Sequence, residues 1–280
     1  AVVLALFGVM WLLLGRSFLK IATSSGKTER RMYRETRTQR KSIGAALLGK
    51  EFARFLSSPN YMLNCGLGVL LLPISGIVLL VKGRDLMPML AMAFDNQPGS
   101  AAVLLCTAVC VVASMNDMAA PSISLEGKNL WLLQSLPVKP WQALRAKLSV
   151  QLLLTSIPAL FASACAAIAG GLSAVEALLT LLVPQAVILM MALLNLTVGL
   201  KMPNLTWTSE IVPIKQSASV MIGLLGGMIY GILPIAGFLM FGHRMGANAY
   251  MACFMALTLA ISAGLYVWLK KKGGAAFAAL

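Results

Sequence analysis

Six uninterrupted apolar runs of about 20 to 24 residues, with a shorter seventh ahead of them, decide what this chain can fold into. The runs are Ala1–Leu14, Tyr61–Val81, Ala101–Ala120, Leu148–Gly170, Ala177–Leu200, Ala218–Phe241 and Ala249–Leu269. A helix rises about 1.5 Å per residue and needs about 20 residues to cross a hydrocarbon layer roughly 30 Å thick. In lipid every backbone polar group must be satisfied within the structure, and continuous rather than alternating apolar runs select helices over a barrel. The fold class expected is an all-α membrane protein, a six-helix bundle.

The charges lie between alternate pairs of runs. Lys and Arg number 11, 4, 2 and 3 in the first, third, fifth and last gaps, and only Lys82, Arg84 and Arg244 occupy the others. Membrane proteins keep Lys and Arg on the cytoplasmic side, so the long gaps Gly15–Asn60, Pro121–Lys147 and Lys201–Ser217 are assigned there. A multi-pass protein of the cytoplasmic membrane is implied. The formal charge of +14 follows from this placement and from anionic lipid headgroups, and it gives no case for a nucleic-acid partner. Hydrophobic residues at 59% and charged residues at 11% also exclude an ordinary soluble domain.

Ala1–Leu14 spans only about 21 Å as a helix, short of the bilayer. It reads as a transmembrane helix truncated at its N-terminus, the tail of a longer membrane protein. Residues 15–41 form a basic cytoplasmic linker, densest over Lys27–Lys41. Residues 42–280 then hold the bundle. Its entry is an interfacial elbow helix, Ser42–Ser58, with Ile43, Ala46, Leu47, Phe52, Phe55 and Leu56 near helical spacing. Lys50, Glu51 and Arg54 form its polar side, and Pro59 and Tyr61 turn the chain into the membrane. Gly223, Gly227 and Gly231 recur every four residues on one face of a run, the pattern that permits close helix packing.

Sites of chemistry are scarce. Ser25-Gly26-Lys27-Thr28 has the end of a phosphate-binding loop without its first glycine, since position 21 is Ile21, and it lacks the strand and helix that motif requires. His243 is the only histidine, and a lone histidine in a short loop makes neither a metal site nor a catalytic set. Cys65, Cys106, Cys110, Cys165 and Cys253 all lie in apolar runs and read as small packing residues, Cys106 and Cys110 sharing a helix face. No metal site, catalytic residue or cofactor is expected. Asp117 is the one acid inside a run; near a helix C-terminus it calls for a cation, with Lys128 or Arg145 as candidates.

The later cytoplasmic loops carry more than a connection needs. Residues 121–140 read PSISLEGKNLWLLQSLPVKP, and 203–217 read PNLTWTSEIVPIKQS. Each has room for a short helix. Ser122 or Ser124 is placed to cap the first, Glu126 stands in its opening turn, and Pro137 and Pro140 end it. All five tryptophans lie near this side. Trp11, Trp141 and Trp268 fit an interfacial belt, while Trp131 and Trp207 stand far enough from the runs to dock on protein.

With KEFARFLSSPNYMLN at 50–64, SISLEGKNLWLLQSLPV at 122–138 and PNLTWTSEIVPIKQS at 203–217, the chain resembles the permease subunits of ATP-binding-cassette transporters, type-2 exporter group. The similarity covers roughly residues 42–270 and has the character of a C-terminal half. The resemblance implies an elbow helix, six spanning helices and a coupling helix in loop 121–147. It also implies a partner, a cytoplasmic cassette ATPase that binds ATP and Mg2+, and a pore completed by the missing N-terminal half or a second copy. On that reading Glu126, Gly127, Lys128, Trp131, Trp207, Glu210 and Lys215 form the ATPase-coupling interface, and membrane lipids surround the rest.

Three alternatives differ in what they require. A channel or secondary carrier working without ATP needs ionisable or broken-helix sites at depth. Pro73, Pro158, Pro184 and Pro234 could break helices, but no charge accompanies them. A lipid-modifying membrane enzyme needs convergent catalytic groups. A non-transporting partner of a cassette ATPase would share the loops and lack a transport path.

Overall fold

A computed structural model describes residues 2–22, 41–93 and 97–280. The linker at 23–40, with its Ser25–Thr28 motif, lies outside the described residues. The chain divides into two units, 1–40 and 41–280, each described by itself.

The first unit holds α1 (Val2–Ala22). It is longer than the 14-residue run, because no proline or tight turn stops a helix at Leu14, and it continues through Arg16 and Ser17. The Ser17 hydroxyl donates back to the Leu13 carbonyl. At about 1.5 Å per residue the 21 residues reach about 31 Å.

The second unit opens with α2 (Ile43–Ser57), the expected elbow helix, whose first free N–H groups are met by the Ser42 hydroxyl accepting from Ala45 N. Leu47, Glu51 and Phe55, four residues apart, form its buried face. Ser58 then caps α3 (Pro59–Cys65), with proline in the first helical position. At Gly66 the chain bends by 53° into α4 (Leu67–Ala93). A Cβ on Gly66 would lie 2.6 Å from the Phe55 ring, so the elbow helix packs where only glycine leaves room. Pro73 lies inside α4, yet the bend falls at Gly66. Most of the outer loop expected at Lys82–Ser100 is the continuation of α4, which runs on to Ala93.

The run Ala101–Ala120 does not make one spanning helix. α5 (Ser100–Ser114) ends after 15 residues, and 115–123 turn irregularly while almost wholly buried. Backbone unwound in an apolar interior needs partners, and neighbouring helices provide them. Gln151 accepts from Ala119 N at 2.9 Å and donates to the Asn116 carbonyl at 2.7 Å. Tyr61 donates to the Met118 carbonyl at 2.6 Å, and Asp117 N donates to the Cys65 carbonyl at 3.2 Å. Thus the break after α3 and the break after α5 are bound to each other.

A tight 3-10 turn, Ser124–Asn129, leads to α6 (Leu130–Ser135). Then come α7 (Pro140–Ala169), α8 (Ala174–Lys201), α9 (Ala218–Met245) and α10 (Ala247–Trp268). A π-helical turn, Leu269–Gly273, joins α10 to α11 (Gly274–Ala278). The caps are local: Ser173 and Glu176 form a capping box on α8, and Ser217 accepts from Val220 N on α9. Pro158, Pro184 and Pro234 lie inside α7, α8 and α9 without ending them.

α8 is the central helix, buried along most of its length and packed by α5, α7, α9 and α10. Leu193, Leu196 and Leu200 fill the core beside the loops, and Val183, Val187 and Met191 fill the other half with Cys106 and Cys110 of α5. The fold is an all-α membrane bundle. Among the described residues, α7 to α10 are long and apolar enough to cross a bilayer, and the bent α3–α4 pair makes a fifth. α5 is a shorter apolar helix, as is the Leu6–Phe18 stretch of α1.

Candidate functional site

The two long loops and the elbow helix meet around one carboxylate. Glu126 is held in the 3-10 turn, 4% exposed. Its Oε1 lies 2.6 Å from Lys147 Nζ and 2.9 Å from Lys50 Nζ, and its Oε2 lies 2.6 Å from Arg54 Nη2. Lys147, 1% exposed, also donates to Glu51 at 2.9 Å and to the Ser122 carbonyl at 3.0 Å. Arg54 and Lys50 approach Glu51 at 3.8 and 3.9 Å. Two acids and three bases from α2, the 3-10 turn and α7 therefore form one network.

Its electrostatics follow from that geometry. Burial alone would push the Glu126 carboxyl up, but Lys147 and Arg54 outweigh it and hold the group well below the usual carboxylate range. Burial likewise works against the Arg54 charge, and Glu126 more than offsets it, raising the guanidinium above its ordinary value. A buried ion pair adds little net stability over apolar packing, but removing one member costs about 3–5 kcal/mol because a charge is left unpaired. The network thus fixes the position of the loop on the elbow helix more than it stabilises the fold.

The turn is fixed from the other side by loop 201–217. Gly127 has φ +54°, and a Cβ there would meet the Trp207 ring at 3.2 Å. Trp207 Nε1 donates to the Ser124 carbonyl at 2.5 Å, and Asn204 N donates to the Ser124 hydroxyl at 3.0 Å. Neither Ser122 nor Ser124 caps a helix as expected: Ser122 donates to the Ala119 carbonyl, and Ser124 is engaged by Asn204. The loop makes two short helical pieces kinked at Gly127 instead of one.

The residues singled out from sequence therefore separate. Glu126, Gly127 and Trp207 are bound to the protein's own elements. Lys128, Trp131, Glu210 and Lys215 are exposed. Glu210 accepts from Ser58 at 3.1 Å, joining the second loop to the α2–α3 junction, and Lys215 lies in a π-helical turn, Val212–Gln216. On α6, Leu130 and Leu133 are buried while Trp131 and Leu132 are 64% and 54% exposed, as is Leu136 just past its end at 45%. Gln134 donates to the Phe277 carbonyl at 2.9 Å, setting α6 against α11.

Lys50, Glu51 and Arg54 are all in the network; Lys147 is the member that sequence reasoning passed over. Its signal was a lysine directly abutting the apolar run at Leu148, at the edge where a charge needs a partner. Gly223, Gly227 and Gly231 line the face of α9 turned to α8 and α5, where a Cβ would meet Asn195, Met191 and the Cys110–Val111 backbone. Of the remaining tryptophans, Trp141 packs edge-on against Tyr266 and Trp268 lies under Lys201, 4.8 Å from its ring centre.

Asp117 is 1% exposed, and among the described residues neither Lys128 nor Arg145 pairs with it; both are at the surface. Among the described residues the Cys65 thiol is set against the Asp117 carboxylate, whose oxygens meet no partner at ordinary hydrogen-bond geometry, and the nearby Asn116 amide is also unmet. Among the described residues no three His, Cys, Asp or Glu side chains gather as a metal site would require.

Bent and unwound helices bonded to one another inside an apolar bundle, with a charged collar at one end, define a multi-span helical membrane protein. The chain belongs to the family described as "Membrane protein of 12 TMs", whose model matches residues 2–267. Comparison with curated proteins and with solved structures gives no match.

Proposed function

We propose that this chain is the membrane-spanning subunit of an ATP-binding-cassette exporter of the cytoplasmic membrane, driven by ATP hydrolysed in a separate cassette subunit. The supporting observation is the two-sided character of loop 121–147. Its inner side is bound through Glu126 to the elbow helix and α7, while α6 and the residue just past its end turn Trp131, Leu132 and Leu136 outward beside Lys128. An exposed aromatic anchor with a charge beside it is what a protein partner grips, with the aromatic supplying affinity and the charge supplying register. A push on α6 would pass through the Glu126 turn into two bundle elements together. Purification of the full-length protein in mild detergent should bring a Walker-motif ATPase with it at a fixed ratio. Recovery of the protein without such an ATPase, while transport persists in vesicles lacking ATP, would overturn the proposal.

A second reading, an ATP-independent carrier, is favoured by Asp117. A buried acid beside two helix breaks is the arrangement that ion-coupled carriers use. On that reading Asp117→Asn abolishes transport; on the cassette reading the same variant retains ATP-dependent transport.

A further inference from the structure

At the end of α9 and α10 far from the charge network, the two helices part to leave a groove of about 330 Å³. Its floor is Tyr230, Tyr250 and Phe254, and its rims include Leu233, Phe241 and Leu257, which are 40%, 50% and 59% exposed. The floor has hydroxyls, but they are already committed. Tyr250 donates to the Leu233 carbonyl at 3.0 Å, and Tyr230 shares a hydrogen with Thr258 at 2.8 Å. What faces the groove is therefore almost purely apolar, and its size lies within the roughly 300–1,000 Å³ typical of ligand sites.

We propose that this groove binds one acyl chain of a membrane phospholipid, from the leaflet opposite the charge network, with the lipid phosphate at Arg244. The rims open towards hydrocarbon, where water gains nothing by entering and an acyl chain is the solvent at hand. A docked helix is the rival occupant, but helices approach closely through small residues. Here the rims are long and flexible, and the groove's glycine, Gly237, is already filled by the Tyr250 hydroxyl. The polar end is provided for as well. Arg244, exposed, follows Phe241 within one turn of α9. A guanidinium beside the mouth complements a phosphate.

Photo-crosslinking in lipid vesicles tests this, using phosphatidylglycerol that carries a diazirine in its acyl chain. Adducts should concentrate at the groove and exceed those on the equally exposed α7 face at Ile157, Leu160 and Phe161. Leu257→Trp, or independently Leu233→Trp, fills the groove from its lipid-facing rim and should cut groove adducts roughly tenfold, as lost contact with two methylenes would. The α7 adducts should stay unchanged and report an intact fold. Arg244→Gln should remove the preference for this lipid over a diacylglycerol with the same chain. Equal labelling of the groove and α7, unaltered by either tryptophan, would mean bulk lipid only and overturn the site. So would efficient Cys253–Cys253 crosslinking between copies in place of lipid adducts.

Discussion

Lys147 sits almost completely buried between two carboxylates and a carbonyl, so its charge has no solvent to fall back on. Lys147→Met is therefore expected to destabilise the protein by about 3–5 kcal/mol, since it leaves Glu51 and Glu126 facing each other with only the outer bases. Adding Glu126→Gln to that variant should restore part of the loss, a coupling that thermal unfolding of the single and double variants in detergent would measure. The same network fixes a pH dependence. Glu126 titrates lower folded than unfolded, so its contribution is complete above the ordinary carboxylate range and fades as pH falls below it. Between about pH 4 and 2 the wild type should lose up to about 1.4 kcal/mol per pH unit more than Glu126→Gln does. Equal acid sensitivity of the two would show that Glu126 is not held by its cations. The sequence offered four of the five network members as separate features, an elbow helix and a loop. Nothing local could join them, because the pairs are 72, 76 and 96 residues apart.

Among the elements, the long apolar helices were plain in the hydropathy and the breaks were not. The run Ala101–Ala120 stays apolar through Met118, Ala119 and Ala120, so composition continues past the point where the helix stops at Ser114. The available clue was the polar pair Asn116–Asp117. What determines the break is tertiary: Gln151 and Tyr61 replace the hydrogen bonds that a helix would have made. Gly199 shares in it, since α8 runs so close that a Cβ there would collide with the Ala120 carbonyl. Gly199→Ala should cost about 1–3 kcal/mol, because backbone on both sides has to move. Gly226→Ala is the matched control on α9, where a Cβ meets nothing within 4 Å. There the gain in helix propensity, up to about 1 kcal/mol, should appear as a small rise in melting temperature. Equal loss from both substitutions would remove the special role of the α8–Ala120 contact.

For the molecule as a whole, the alternation of basic gaps indicated a bundle with one elaborated end, and the structure gathers α2, α6 and both long loops around one network. The sequence alone treated Glu126 and Trp131 as equivalent contacts on that end. The structure buries Glu126 and exposes Trp131 on the same loop, so the two substitutions should now behave differently. Trp131→Ala removes an exposed anchor and leaves the network whole; the protein should insert and melt within about 0.5 kcal/mol of wild type. If a cassette ATPase grips α6, that variant should lose most substrate-stimulated ATP hydrolysis, while the ATPase alone keeps its basal rate. Glu126→Lys instead sets a fourth cation among three, so stability should fall first and coupling only with it. Measuring melting temperature and stimulated hydrolysis together on both variants separates an interface residue from an internal strut. Full stimulation in Trp131→Ala at wild-type melting temperature would take α6 out of the coupling surface and leave the loop as packing for the elbow helix alone.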